Sequence, residues 1–156
     1  MLHDTTMYDT IMRDTTMRDT TLLAARPVIA AVEAIRQNEE IPKDSQEYFL
    51  HTVLRPISKL QDPILVSLCV TFLAKYRSTF LQKSRSEQEA FLTASMKKDA
   101  ALRSLLIGVC VGQFTTEELQ YYSASDHQAE INKRIIELAA KRVSDALPEL
   151  IASGKI

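Results

Sequence analysis

The chain has 156 residues, 46% of them hydrophobic, enough for one domain with one sizeable core. Its 19 basic and 20 acidic residues are mixed along the chain and leave a net charge of −1, so the basic stripe of a nucleic-acid binder is missing. Three glycines and five prolines are few turn residues for a β architecture, and two cysteines without a CxxC or a His/Cys cluster indicate neither a disulfide framework nor a zinc site.

Residues 4–23 repeat a pentad: DTTMY, DTIMR, DTTMR, DTTLL. Five residues advance an α-helix by a net ~140°, so Met7, Met12, Met17 and Leu22 share no stripe. Thr and Asp are also weak helix formers. The expectation is a low-complexity, flexible tail over 1–23 and a single helical domain over 24–156. A backward extension of the first helix into the repeat stays open.

Pro27 should open a helix through Val28, Ile29, Val32 and Ile35, ending near Asn38. A second should start at Asp44 or Ser45 and bury Phe49, Leu50, Val53 and Leu54, with Pro56 forcing a kink or a break near Leu54–Arg55. Asp62–Pro63 marks a restart. The apolar spacing from Ile64 to Leu81 predicts one long central core helix, including Leu65, Cys69, Phe72, Leu73, Tyr76 and Phe80. Ser86 with Glu89, Thr115 with Glu118 and Ser125 with Gln128 read as capping boxes, and Asp99 reads as a further cap. The last helix should run from about Asp126 to Leu147, with Pro148 kinking or ending it. The fold class is all-α: six or seven helices in one compact bundle behind the repeat tail.

No G-x-S-x-G, P-loop, H-E-x-x-H or Rossmann glycine set occurs, and His3, His51 and His127 lie far apart. No catalytic residue, cofactor or metal site is therefore assigned. No secretory signal is visible. The apolar stretch from Pro63 is broken by Lys75 and Arg77, which leaves it short of a membrane span. These features fit a cytoplasmic protein without a membrane or nucleic-acid partner.

Two features remain. Ala100, Ser104, Gly108 and Gly112 lie four apart on one helical face. The first reading of that ladder is tight packing inside the chain; the alternatives are a homodimer seam or a ligand against bare backbone. Arg55 and Arg103, grouped with Tyr76, Tyr121 and Tyr122, read first as an ion pair to Glu117 or Glu118 or as aliphatic stems covering the core edge; the alternative is a pocket for a carboxylate or phosphate.

Three runs carry a resemblance. They are Thr52-Val53-Leu54-Arg55-Pro56-Ile57-Ser58-Lys59-Leu60-Gln61, then Leu106 to Thr115 with Glu118 and Tyr122, and Glu130-Ile131-Asn132-Lys133-Arg134-Ile135. They resemble a group of short, uncharacterised bacterial helical proteins, some of which carry an automatic glyoxalase label. The glyoxalase fold needs βαβββ modules and His and Glu ligands, and this sequence carries neither. The resemblance therefore implies only a small helical protein, with Arg55, Gly108, Gly112, Phe114, Thr115 and Asn132 as positions of interest.

Together these readings favour a non-enzymatic interaction or assembly module that pairs with itself or with another protein. The alternative is a small-molecule domain or enzyme with an anion pocket near Arg55 and Arg103, so enzyme status is open. Interface or pocket candidates are Arg55, Arg103, Ser104, Gly108, Gly112, Phe114, Tyr121, Tyr122 and Asn132.

Overall fold

The computed structural model describes residues 15–124 and 126–156. Most of the pentad repeat, and Ser125 of the third capping box, lie outside them. The described residues hold nine helices and no strand: α1 (15–25), α2 (Ala30–Gln37), α3 (Gln46–Leu60), α4 (Asp62–Ala74), α5 (Arg77–Gln82), α6 (Arg85–Lys98), α7 (Ala100–Val111), α8 (Thr116–Ser123) and α9 (Gln128–Ala152). The expected six or seven are exceeded for two reasons. The end of the repeat is helical, and the helix after Pro63 is divided.

That division falls at Lys75–Tyr76. Lys75 N–H bonds to Phe72 O and Tyr76 N–H to Leu73 O, the tight bonds of a helix end. The Tyr76 ring then packs between Phe72 and Phe91, with ring centroids 5.4 and 5.5 Å away. Phe80 still follows Tyr76 by four residues, so apolar spacing runs through the break without registering it.

The centre of the bundle is α9 rather than α4. Its Ile131, Ile135, Ile136, Ala139, Val143 and Leu147 are buried. It packs against α3, α4, α6, α7 and α8. Leu65, Cys69 and Leu73 of α4, Leu92 and Met96 of α6, and Leu102, Leu106 and Cys110 of α7 complete the core. At 25 residues α9 is long enough to reach five other helices.

Two prolines lie beyond the first turn of their helices, Pro56 and Pro148, and each has an arginine on the carbonyl four residues earlier. Proline has no N–H, so the carbonyl four residues earlier loses its partner. Arg36 of α2 donates to Thr52 O, four residues before Pro56, at 3.2 Å. Pro148 leaves Ser144 O free, and Arg85 of α6 donates to that one. Neither proline ends its helix: α9 continues to Ala152, and α3 continues through a π turn over Leu50–Leu54, in which Arg55 N–H reaches back to Leu50 O. The widened turn relieves the clash of the proline ring with the preceding carbonyl. The sharp bend comes later, 65° between α3 and α4, around Gln61.

The caps follow local chemistry with one shift of frame. Thr115 with Glu118 forms the expected box, and Asp99 Oδ1 accepts from Leu102 N–H. At α6 the box is Ser84 with Glu87, two residues before the expected pair. Two S-x-x-E frames overlap here, and the earlier start lets buried Gln88 donate to Phe80 O at 3.2 Å. α2 begins at Ala30 after Ile29, so Val28 is 84% exposed instead of entering the core.

In α1 the anchors are the polar residues of the repeat. Arg18 donates to Gly112 O and Phe114 O, each at 2.8 Å, and Asp19 Oδ1 accepts from Thr116 N–H at 3.0 Å. Met17 faces solvent. The Arg–Asp step of the pentad thus satisfies the carbonyl of Gly112, which caps α7, that of Phe114 in the following turn and an amide opening α8.

Candidate functional site

The outer face of the packed pair α4 and α7 stands out because it is almost uncharged. Asp62 is the one charged residue in the thirteen-residue α4, and Arg103 the one in the twelve-residue α7. The two helices are in contact, each turning buried residues into the core, Leu65 and Cys69 from α4 and Leu106 and Cys110 from α7, and Gln61 Nε2 donates to Val109 O at 3.2 Å. The exposed residues of α4 include Thr71 and Ile64, the last 48% exposed, and those of α7 include Ser104, Gly108 and Leu105, which is 54% exposed.

This overturns the first reading of the small-residue ladder. Ala100, Ser104, Gly108 and Gly112 are all exposed, so they are not packed inside the chain. A Cβ placed on Gly108 would meet nothing within 4 Å. Neither backbone shape nor packing within the chain requires glycine there, although an interior glycine costs about 1 kcal/mol of helix stability relative to alanine.

The other candidates separate into four places. Phe114 and Tyr122 are buried core residues in edge contact at 5.5 Å, and Tyr122 Oη donates to Asn132 Oδ1 at 2.6 Å. These groups, with Thr115 as a cap, fix the α7–α8 turn to α9. Tyr121 stacks on Phe49 at 4.8 Å and on His127 at 4.0 Å, and its hydroxyl donates to Asp44 O. It also walls a cleft of about 320 Å³ with Leu23, Arg26, Arg36, Tyr48 and Glu117. Arg55 sits apart, on the rim of a second depression facing α9. Arg103 lines neither depression, and Tyr76 lies near the far end of α4. One pocket joining Arg55, Arg103 and the tyrosines therefore does not form.

The ion pair to Glu118 is made by Arg26 rather than by Arg55 or Arg103. Its guanidinium donates to Glu118 Oε1 at 2.6 Å and to Oε2 at 2.7 Å, with a third bond to Gln113 O at 2.9 Å. The two side chains are only 6% and 14% exposed. Sequence reading missed Arg26 because it precedes Pro27, outside any apolar pattern.

Arg55 is held by His51. An arginine only donates, so His51 Nδ1 accepts from Arg55 Nη1 at 3.1 Å, which leaves the ring proton on Nε2. Burial and the adjacent guanidinium push the His51 pKa below its ordinary value, which favours this neutral form. Burial pushes the Cys69 and Cys110 thiols up to about 12, far from the range of a reactive thiolate. No group of three or more His, Cys, Asp or Glu side chains gathers among the described residues in a way that suits a metal ion. No single helix among them is long and apolar enough to cross a membrane.

Comparison with protein-family models, with curated proteins and with solved structures finds no match for this chain. The functional reading therefore rests on the chemistry of its own surface.

Proposed function

We propose that this chain is a non-enzymatic assembly module that pairs with a second copy of itself through the outer face of α4 and α7. The observation that supports it most is Gly108, exposed in the middle of an almost uncharged helix with no packing inside the chain to explain it. A twofold contact places one patch against itself, so like charges on that patch would repel. Two helices that carry one charged residue each, of opposite sign, keep that penalty small. Serine and glycine at four-residue spacing let a second helix approach closely, while Leu105 and Ile64 supply apolar area beside them.

The test is sedimentation velocity on the full chain over a dilution series, extending to about 100 µM so that pairing in the micromolar range is seen. The expected result is a monomer–dimer equilibrium. Leu105→Glu should move it to monomer with unchanged circular dichroism, because the carboxylate is solvated in the monomer and desolvated in the pair. A strict monomer at the highest concentration, or a dimer indifferent to Leu105→Glu, rejects the proposal.

A further inference from the structure

The depression beside Arg55 has a volume of about 380 Å³ and lies between α3 and α9, with Ile29 closing one side. Arg55 and Lys59 come from α3; Lys141, Arg142 and Asp145 come from α9. Residues more than eighty positions apart thus bring four cations to one concave surface. Asp145 lines it with them, and Asp62 pairs with Arg142 at 3.3 Å. Four cations against two carboxylates leave two positive charges uncompensated.

Both guanidinium groups are held before any ligand arrives. Arg55 is fixed by neutral His51, which orients it without cancelling its charge. Arg142 donates through Nε to the buried Ser58 Oγ at 2.5 Å and through Nη1 to Asp62. Pre-oriented arginines lose less side-chain freedom on binding than mobile ones do. Lys59 and Lys141 are exposed and make no ion pair among the described residues. Ile29 and Leu138 give the depression an apolar wall as well.

We propose that this depression binds the dianionic phosphate of a small organic phosphate monoester, with Arg55, Lys59, Lys141 and Arg142 on the phosphate and Ile29 and Leu138 against its organic part. A carboxylate brings one negative charge and would leave the cluster half neutralised; a phosphate dianion matches both free charges. The volume suits a small molecule, and the chain as a whole lacks the positive field of a nucleic-acid binder.

Titration calorimetry of the full chain with phenyl phosphate tests this, with benzoate as the monoanion and inorganic phosphate as the ligand without an apolar part. Saturable binding of phenyl phosphate at one site, tighter than either comparator, is expected. Lys59→Gln with Lys141→Gln should weaken it by about tenfold or more without touching the bonds that hold the arginines. Arg55→Gln should weaken it further. Lys97→Gln with Lys98→Gln, a charge-matched pair elsewhere on the chain, should leave it unchanged. Flotation with phosphatidic acid vesicles distinguishes a lipid headgroup from a free phosphate. Binding to vesicles but not to phenyl phosphate overturns the proposal. So does absence of saturation, or equal weakening by the Lys97/Lys98 pair. The readout is independent of oligomeric state, so failure here leaves the assembly reading standing.

Discussion

Replacing Arg26 with methionine should loosen the attachment of the N-terminal segment to the bundle and destabilise the fold by about 3 kcal/mol. Arg26 makes two charge-assisted bonds to Glu118 and one to Gln113 O, in a setting where it is 6% exposed. Methionine keeps most of the apolar stem and removes all three bonds. Glu118 is then left nearly buried, with the Thr115 and Glu118 capping contacts as its remaining support. Removing one partner of a buried pair typically costs about 3–5 kcal/mol, and the residual solvent access of Glu118 places the value at the lower end. For a domain of this size the melting temperature should fall by about 6–12 °C. Urea unfolding of Arg26→Met, Glu118→Gln and the double variant measures the coupling, expected to exceed about 1 kcal/mol. Limited proteolysis should show faster cleavage before Pro27 in Arg26→Met. A loss below about 0.5 kcal/mol, with unchanged proteolysis, would refute the reasoning, since that is the range of an exposed pair.

Two more predictions concern the fold. Pro148→Ala restores the N–H that Ser144 O lacks, and Pro148 is exposed, so stability should rise by about 1–3 kcal/mol. In a double-mutant cycle read by urea unfolding, Arg85→Ala should then be less harmful in the Pro148→Ala background than in the native chain. Alkaline stability should follow the two thiols. Their folded pKa values lie near 12, above the unfolded value near 9, so their contribution is fully present below about pH 9 and is lost as pH rises towards 12. The slope should reach about 2.7 kcal/mol per pH unit when both act, and Cys69→Ala with Cys110→Ala should flatten it; an unchanged slope between about pH 9 and 10 would count against burial as the cause.

Much of the fold was legible because it depends on short-range rules. The caps at Ser45, Asp99 and Thr115 follow from a side chain reaching an amide three residues on, and each forms as its sequence suggests. The apolar faces of α3, α4, α7 and α9 follow from helical spacing alone. Where spacing failed, a neighbour decided. The break at Tyr76 depends on Phe91, which lies on another helix, and the capping frame at Ser84 depends on Gln88 reaching Phe80 O. The prolines were readable as local conflicts. Their outcome was not, because it depended on arginines far away in sequence.

The candidate site divides in the same way. The small-residue ladder is plain in the sequence, but a four-residue period looks the same whether its face is buried or exposed. Only the packing of α7, through Leu102, Leu106 and Cys110, turns Gly108 outward. Arg55 drew attention beside Pro56, yet nothing local connects it to Lys141 and Arg142. By itself the sequence determined the all-helical class, the helix starts at Ser45, Asp62, Asp99 and Thr115 and the absence of familiar catalytic motifs, since these depend on residues within one or two turns. The tertiary structure decided which faces meet solvent, which carbonyls the arginines fill and which charges converge. Those are properties of contacts between distant segments, and they exist only once the core has brought the segments together.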